Sequence, residues 1–409
     1  MNNYHKFDFN IYSIVNNKHE FKPYKVLQWL DIPYIPIVTD DIGDGMNLEK
    51  IPKDLNGVCI ASPKQFFSTK SGSWDMKGIQ KSIDALSKNF KKVILFNDDY
   101  TAEWPQKIGN VYLLGLEMHT VSDRDSKDYR KYGLEIQNKY DNRDYIFNYV
   151  LCRTQMDNAM GADDVNEFMK LVKFSKNRIR NKAFTTLNNY PKSHRVGLVL
   201  RLMEYGLLDK GYVSLHSNKT DDLNKILISK SDSQKVFLKE NPESIKQLKK
   251  ITPIVLQNEK DVNGNFMGDD ITAIPYSNML DSYFSICCES HFHEDSQMIW
   301  TEKLSKVILG MHPFFVISQP YLLYHLKERG FETFSEVIDE SYDNEINDTK
   351  RFEAVMKEIK RFFTENNQKD LHHIYYDVLY EKVRHNIQRH RDVVSEELRV
   401  ILKILKDEI

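Results

Sequence analysis

Cysteine is scarce in this chain of 409 residues. There are four, at Cys59, Cys152, Cys287 and Cys288, and no two form a C-x-x-C pair. That pattern offers neither a disulfide framework nor a thiolate metal cage. The adjacent pair inside the apolar run YFSICC reads as small core residues in a reducing compartment. Long apolar runs are missing too: none approaches the roughly 18 residues of a membrane span, so no membrane insertion is expected. The opening MNNYHKFDFN has no basic segment followed by an apolar core, so no signal peptide is expected and the expected location is cytoplasmic. Net charge is also small, formally -2, which gives no global field to gather nucleic acid or an anionic membrane. No G-x-S-x-G, P-loop or G-x-G-x-x-G sequence occurs. This argues against a hydrolase of the first type, a P-loop NTPase or a nicotinamide dehydrogenase.

What remains is an ordinary globular composition, 41% hydrophobic and 28% charged, in a chain too long for one core. Apolar segments at 24–29 (YKVLQW) and 33–39 (PYIPIVT) run into an acidic turn, Asp40-Asp41-Ile42-Gly43-Asp44-Gly45. VCIAS (58–62), KVILF (92–96) and VYLLGL (111–116) have the unbroken hydrophobicity of strands buried on both faces, and MKGIQKSIDALSKNF (76–90) has helical spacing. A second series follows. A helical pattern over 160–182 ends in the basic cluster Lys176 to Lys182. AFTTLNN (183–189) reads as a strand, VGLVLRLMEYGLL (196–208) as a helix closed by Gly211, and YVSL (212–215) and ITPIVLQ (251–257) as strands. From Lys350 onward the spacing is helical.

The expectation is therefore an α/β protein. Two Rossmann-like parallel-sheet domains, 1–175 and 176–345, would face a crevice, with a helical extension over 346–409.

The most informative stretch is Tyr283–Ser318, a strand, a polar loop with Glu289 and Ser290, a helix opening at Thr301-Glu302-Lys303, and a strand from Pro313. A helix start offers unbonded N–H groups and the positive end of a dipole. A lysine there can reach a diphosphate, and a glutamate can accept from ribose hydroxyls. The plainer alternative is a first-turn glutamate that complements the dipole, with Lys303 in solvent. Lys192, His194 and Arg195, between a strand and its helix, form a second cationic loop expected on the same edge. For a general base, strand-end carboxylates of the first half are the candidates, Asp98 and Asp99 foremost, because adjacent carboxylates raise one another's pKa. His291 and His293 lack a second ligand pair, so no metal is assigned. The basic cluster is the one hint of nucleic acid, against the plain reading of a solvated face.

These residues resemble a known pattern. YFSICCES…WTEKLSKVILGMHPFFVIS is similar to the nucleotide-sugar-binding core of the alpha-1,3-fucosyltransferases. That core has a strand ending in Phe-Glu-Asn/Ser, then Val-Thr-Glu-Lys, a helix and Pro-Val-Val. Glu289-Ser290, Thr301-Glu302-Lys303 and Pro313 carry the likeness. The chain also resembles uncharacterised glycosyltransferase-like proteins of bacteriophages and other viruses, through Pro191–Arg195, GLLDKGYVSL (206–215) and the run from Thr301 to Asp343. The resemblance implies a metal-independent glycosyltransferase of the two-Rossmann-domain (GT-B) type. It would need no cofactor beyond its nucleotide-sugar co-substrate. The acceptor would be a hydroxyl on a glycan, a protein or a modified DNA base. Glu302 and Lys303, with Ser290, Thr301 and Lys192 around them, would hold the nucleotide. Glu289 would lie beside the donor sugar or ribose, and Arg195 would stabilise the departing pyrophosphate. This chain lacks the fucosyltransferases' N-terminal motif. The competing expectation is a non-catalytic protein that keeps the scaffold to bind a nucleotide or a partner.

Overall fold

The computed structural model describes residues 9–15, 27–28, 32–38, 51–61, 84–97, 111–115, 162–188, 191–216, 242–256, 275–290, 292 and 301–406. The chain divides into two compact units. The first comprises Met1–Val121, Lys127–Tyr149 and Val394–Ile409, and the second Ser122–Ser126 and Val150–Val393.

The first unit is built on five parallel strands: β1 (Ile11–Val15), β2 (Ile35–Val38), β3 (Asp54–Ala61), β4 (Phe90–Asn97) and β5 (Val111–Gly115), in the order β2-β1-β3-β4-β5. Buried residues such as Val58, Cys59, Ile60, Val93 and Ile94 explain why these stretches read as unbroken apolar runs. The strand β1 has no place in the sequence reading. Its five residues include Ser13, whose fully buried hydroxyl masks the pattern, yet β1 lies between β2 and β3. The helical spacing before β4 is met by helix over 84–89.

The second unit carries, in chain order, α1 (Ala162–Phe174), β6 (Lys182–Thr186), α2 (Ser193–Glu204), β7 (Gly211–Val213), α3 (Pro242–Ile251), α4 (Tyr276–Leu280), β8 (Ser282–Cys288), α5 (Glu302–Leu309), β9 (Phe314–Ile317), α6 (Leu322–Glu328), α7 (Asp348–Glu365), α8 (Gln368–His373) and the first part of α9 (Tyr380–Leu405), whose residues from Val394 on belong to the first unit. A π-helical turn over Ile374–Leu379 joins the last two. Its four strands are parallel in the order β7-β6-β8-β9. Both sheets thus share an arrangement in which the chain moves from its first strand to one side and later returns to the other, the strand order of doubly wound α/β folds.

Three details differ from the sequence reading. The helix over 196–208 starts at Ser193 and stops at Glu204. Gly206, at φ +67°, closes it instead of Gly211, with Leu207 N–H bonded to Leu202 O at 2.8 Å and Gly206 N–H to Met203 O at 3.0 Å. ITPIVLQ is not a strand. Ile251 ends α3, and the segment makes one antiparallel bridge, Leu215 to Ile254, because Pro253 has no N–H for a ladder. The helix expected over 160–182 ends at Phe174, and β6 begins at Lys182.

The helices after 346 are no appendage in packing terms. Phe362 and Phe363 of α7 lie against Phe284 of β8 at 4.9 and 6.1 Å between ring centroids, and Phe363 lies 4.7 Å from Phe184 of β6. Both are essentially unexposed. Each such ring contributes about 1.5–3 kcal/mol by burial. Tyr375 follows them in, donating to Met311 O at 2.7 Å.

Candidate functional site: a cationic turn at the end of the second sheet

In the second sheet the switch of direction falls between β6 and β8, the place where ligands bind in open α/β sheets. The chain leaves β6 through Pro191–Lys192 into α2, and leaves β8 through Glu289–Ser290 toward α5. Seven of the nine residues singled out in the sequence meet at these two strand ends.

Glu289 holds them together. It continues the β8 ladder, donating its N–H to Ile317 O at 3.0 Å, and is wholly buried. One carboxylate oxygen accepts from Thr301 N–H at 3.2 Å. The other accepts from Ser290 N–H at 3.2 Å and from the Thr301 hydroxyl. Thr301 is in turn the N-cap of α5, its Oγ1 accepting from Lys303 N–H at 3.3 Å. The main-chain oxygen of Glu289 meets His194 Nε2 at 2.9 Å and accepts from the Arg195 guanidinium at 3.4 Å. His194 is itself stacked on Phe292 at 5.5 Å. One residue therefore ties the starts of α2 and α5 to the end of β8. With no exposed surface and both oxygens occupied, Glu289 acts on the turn through Thr301 and Ser290.

Ser290 lies between two lysines. Lys192 Nζ donates to its main-chain oxygen at 2.7 Å and Lys303 Nζ to its hydroxyl at 3.0 Å. Lys303 also reaches Thr301 Oγ1 at 3.5 Å and pairs with Glu302 at 2.5 Å, both side chains about a fifth exposed. Lys303 is therefore not a solvated first-turn residue.

The electrostatics follow from this crowding. Burial raises the carboxyl of Glu289 above its usual range, against the pull of Lys303 and the Thr301 bonds. Burial also works against the Glu302 carboxylate, but Lys303 outweighs it and holds the group below that range. Lys192 is an exposed residue whose ammonium is folded onto the Ser290 carbonyl. Burial of that ammonium, then repulsion from Arg195 and Lys303, brings it down to about 8. Among the described residues three cations, Lys192, Arg195 and Lys303, stand at this turn with two carboxylates, Glu289 and Glu302.

Cys288, just before the turn, is pushed up to about 12 by burial, and Cys287 is raised well above the ordinary thiol value. Neither is a nucleophile in this setting. Asp98 and Asp99 lie outside the described residues, as do His291 and His293. Among the described residues no group of three or more His, Cys, Asp or Glu could hold a metal ion.

Each cation of the cluster from Lys176 to Lys182 has a partner in the fold. Lys176 pairs with Asp377 at 2.8 Å and Arg178 with Asp281 at 2.8 Å, while Lys182 donates to Asp209 O at 2.6 Å. Arg180 is buried 4.2 Å over the Tyr375 ring, donating to Tyr376 OH at 2.8 Å and Ser282 O at 2.5 Å. Lys176 and Arg178 stay about half exposed, each beside a carboxylate, while Arg180 is buried.

The run from Gly330 to Asp343 is likewise structural. Gly330 closes α6 at φ +80°. Glu340 accepts from Thr333 Oγ1 at 2.8 Å and from Phe334 N–H at 2.6 Å, and Asp343 caps α6 through Leu323 and Tyr324 N–H at 3.0 and 3.2 Å.

Comparison with protein-family models, with curated proteins and with solved structures finds no match to this chain.

Proposed function

We propose that the second unit binds the diphosphate of a nucleotide at the Glu289–Ser290 turn, and that the protein is a glycosyltransferase using a nucleotide-activated sugar. The observation that carries this reading is the convergence of Lys192, Arg195 and Lys303 on two consecutive residues at the direction switch of a parallel sheet. Two helices begin there, and their first turns favour negative charge. Glu302, beside Lys303, suits the ribose hydroxyls. In such a reaction the sugar leaves a diphosphate whose growing charge needs fixed cations. Lys303, Lys192 and Arg195 would supply them without reorganising, and that preorganisation would be the main source of rate. The acceptor hydroxyl would lose its proton to a carboxylate, and Asp98 and Asp99 are the candidates the sequence offers.

A second reading, a nucleotide-binding protein without turnover, draws on one observation. Both carboxylates at the turn are committed, Glu289 to Thr301 and Ser290 and Glu302 to Lys303, so neither is free to act as base. Titration calorimetry with ADP, GDP, CDP and UDP tests the site. We expect one to bind, and Lys303→Ala to weaken it about tenfold or more, equivalent to about 1.4 kcal/mol. No binding by any of the four, or equal binding by the variant, would remove the proposal. Hydrolysis of the matching nucleotide-sugar, lost in Asp98→Asn or Asp99→Asn, separates the enzyme from the binding protein.

A further inference from the structure

Just beyond the turn the chain is gripped at Phe292 by Arg351, which comes from the start of α7, 59 positions later. A guanidinium has five N–H donors, and here each has an acceptor. Nε donates to Ser318 O at 3.0 Å, and Nη1 to Glu345 O at 2.9 Å and Ile346 O at 2.8 Å. Nη2 donates to Phe292 O and, at 2.6 Å, to Asp348. The same guanidinium lies 4.4 Å over the Phe292 ring, and Phe352 meets that ring edge-on at 6.1 Å. Arg351, Phe292 and Phe352 are all buried. The Phe292 ring is stacked in turn on His194, within 19° of parallel. His194 Nε2 meets the main-chain oxygen of Glu289 at 2.9 Å, and because a carbonyl oxygen only accepts, that nitrogen carries a proton.

We infer that Phe292, anchored by Arg351, is a positioning residue for the phosphate turn. It holds His194, and through His194 the main chain of Glu289, where Lys192 and Lys303 can both close on Ser290. This rests on the turn being the phosphate site proposed above, and adds a role for side chains buried beside it. Both lysines bond Ser290, so the course of the main chain there sets where their two ammonium groups stand. On its entry side the turn is fixed by the β8 ladder, through Glu289 N–H to Ile317 O at 3.0 Å. On its exit side it is fixed by Phe292 and His194. Because Arg351 also binds Ser318, one guanidinium sets the chain leaving β8 against the chain leaving β9. A displacement of about 1 Å at a preorganised site is enough to cost an order of magnitude or more.

The test is titration calorimetry on the full chain with ADP, GDP, CDP and UDP, then with the monophosphate of the base that binds tightest. The ratio of diphosphate to monophosphate affinity reads the turn, because a general loosening of the unit weakens both ligands alike. We expect Phe292→Leu, which stays apolar but has no ring to stack, to lower this ratio about tenfold. Arg351→Lys, which loses the planar fork, should follow it. His194→Leu should lower the ratio as well, and His194→Gln, whose amide N–H can reach the Glu289 oxygen, should restore most of it. The two His194 variants decide the matter if the others do not fold. A ratio left unchanged by Phe292→Leu or His194→Leu, or lowered equally by His194→Leu and His194→Gln, overturns the inference while the phosphate site stands. Failure of all four diphosphates to bind the wild type removes the site and this role for Phe292 with it.

Discussion

At the scale of single residues, Glu289 shows how a side chain can matter to a ligand it does not touch. Its carboxylate satisfies the N–H groups of Ser290 and Thr301, and no solvent reaches it. Removing it leaves buried donors without an acceptor, each costing about 1–3 kcal/mol. Glu289→Ala should therefore lose several kcal/mol in urea unfolding, at the upper end of single-residue effects. Glu289→Gln keeps one acceptor and should lose clearly less. Equal stability of wild type and Glu289→Ala would show that the turn does not depend on this residue. The sequence made Glu289, Thr301, Glu302 and Lys303 visible because they lie within one local pattern, a strand end followed by a helix cap. It could not show which of them faces outward, because that depends on Ile317, His194 and Arg195 arriving from elsewhere in the chain. The partners of the basic cluster were hidden for the same reason. Asp281 and Asp377, which pair with Arg178 and Lys176, and Tyr375, whose ring Arg180 covers, are 100 or more residues away.

At the scale of elements, apolar strands and glycine-closed helices were legible, whereas β1 was not, and neither was the role of the late helices. Hydrophobic spacing gives a helix its face but not the surface that face covers, so α7 read as an extension when its phenylalanines complete the core over β6 and β8. One cap carries a pH signature. Asp343 is buried, and burial raises it to about 7 even though it accepts the N–H groups of Leu323 and Tyr324 at the start of α6. Because the folded pKa lies above the unfolded one, the folded chain holds this proton more firmly. Its contribution to stability is full below the ordinary carboxylate range and is lost as pH rises through about 7. Asp343→Asn retains an oxygen for the two N–H groups and cannot ionise. Denaturant midpoints measured across this range should fall with rising pH more steeply for wild type than for Asp343→Asn. Parallel curves would mean that Asp343 is not the titrating group.

At the scale of the whole molecule, two units with a sheet each are expected to unfold as two cooperative blocks. Calorimetric unfolding should then resolve two transitions, and each can be assigned by a mark placed in one core. Phe363 is unexposed and packed on Phe184 and Phe284, so Phe363→Ala should lower one transition by about 3–5 kcal/mol and leave the other in place. The nucleotide provides the second mark. A ligand that binds only the folded state at a hundred times its dissociation constant adds about 2.7 kcal/mol. Lys192, Arg195, Ser290 and Lys303 all belong to the second unit. The transition lowered by Phe363→Ala must therefore be the one that a nucleoside diphosphate raises. If the nucleotide raises only the other transition, the ligand lies in the first unit, and the cationic turn after β8 is a structural joint instead of a binding site.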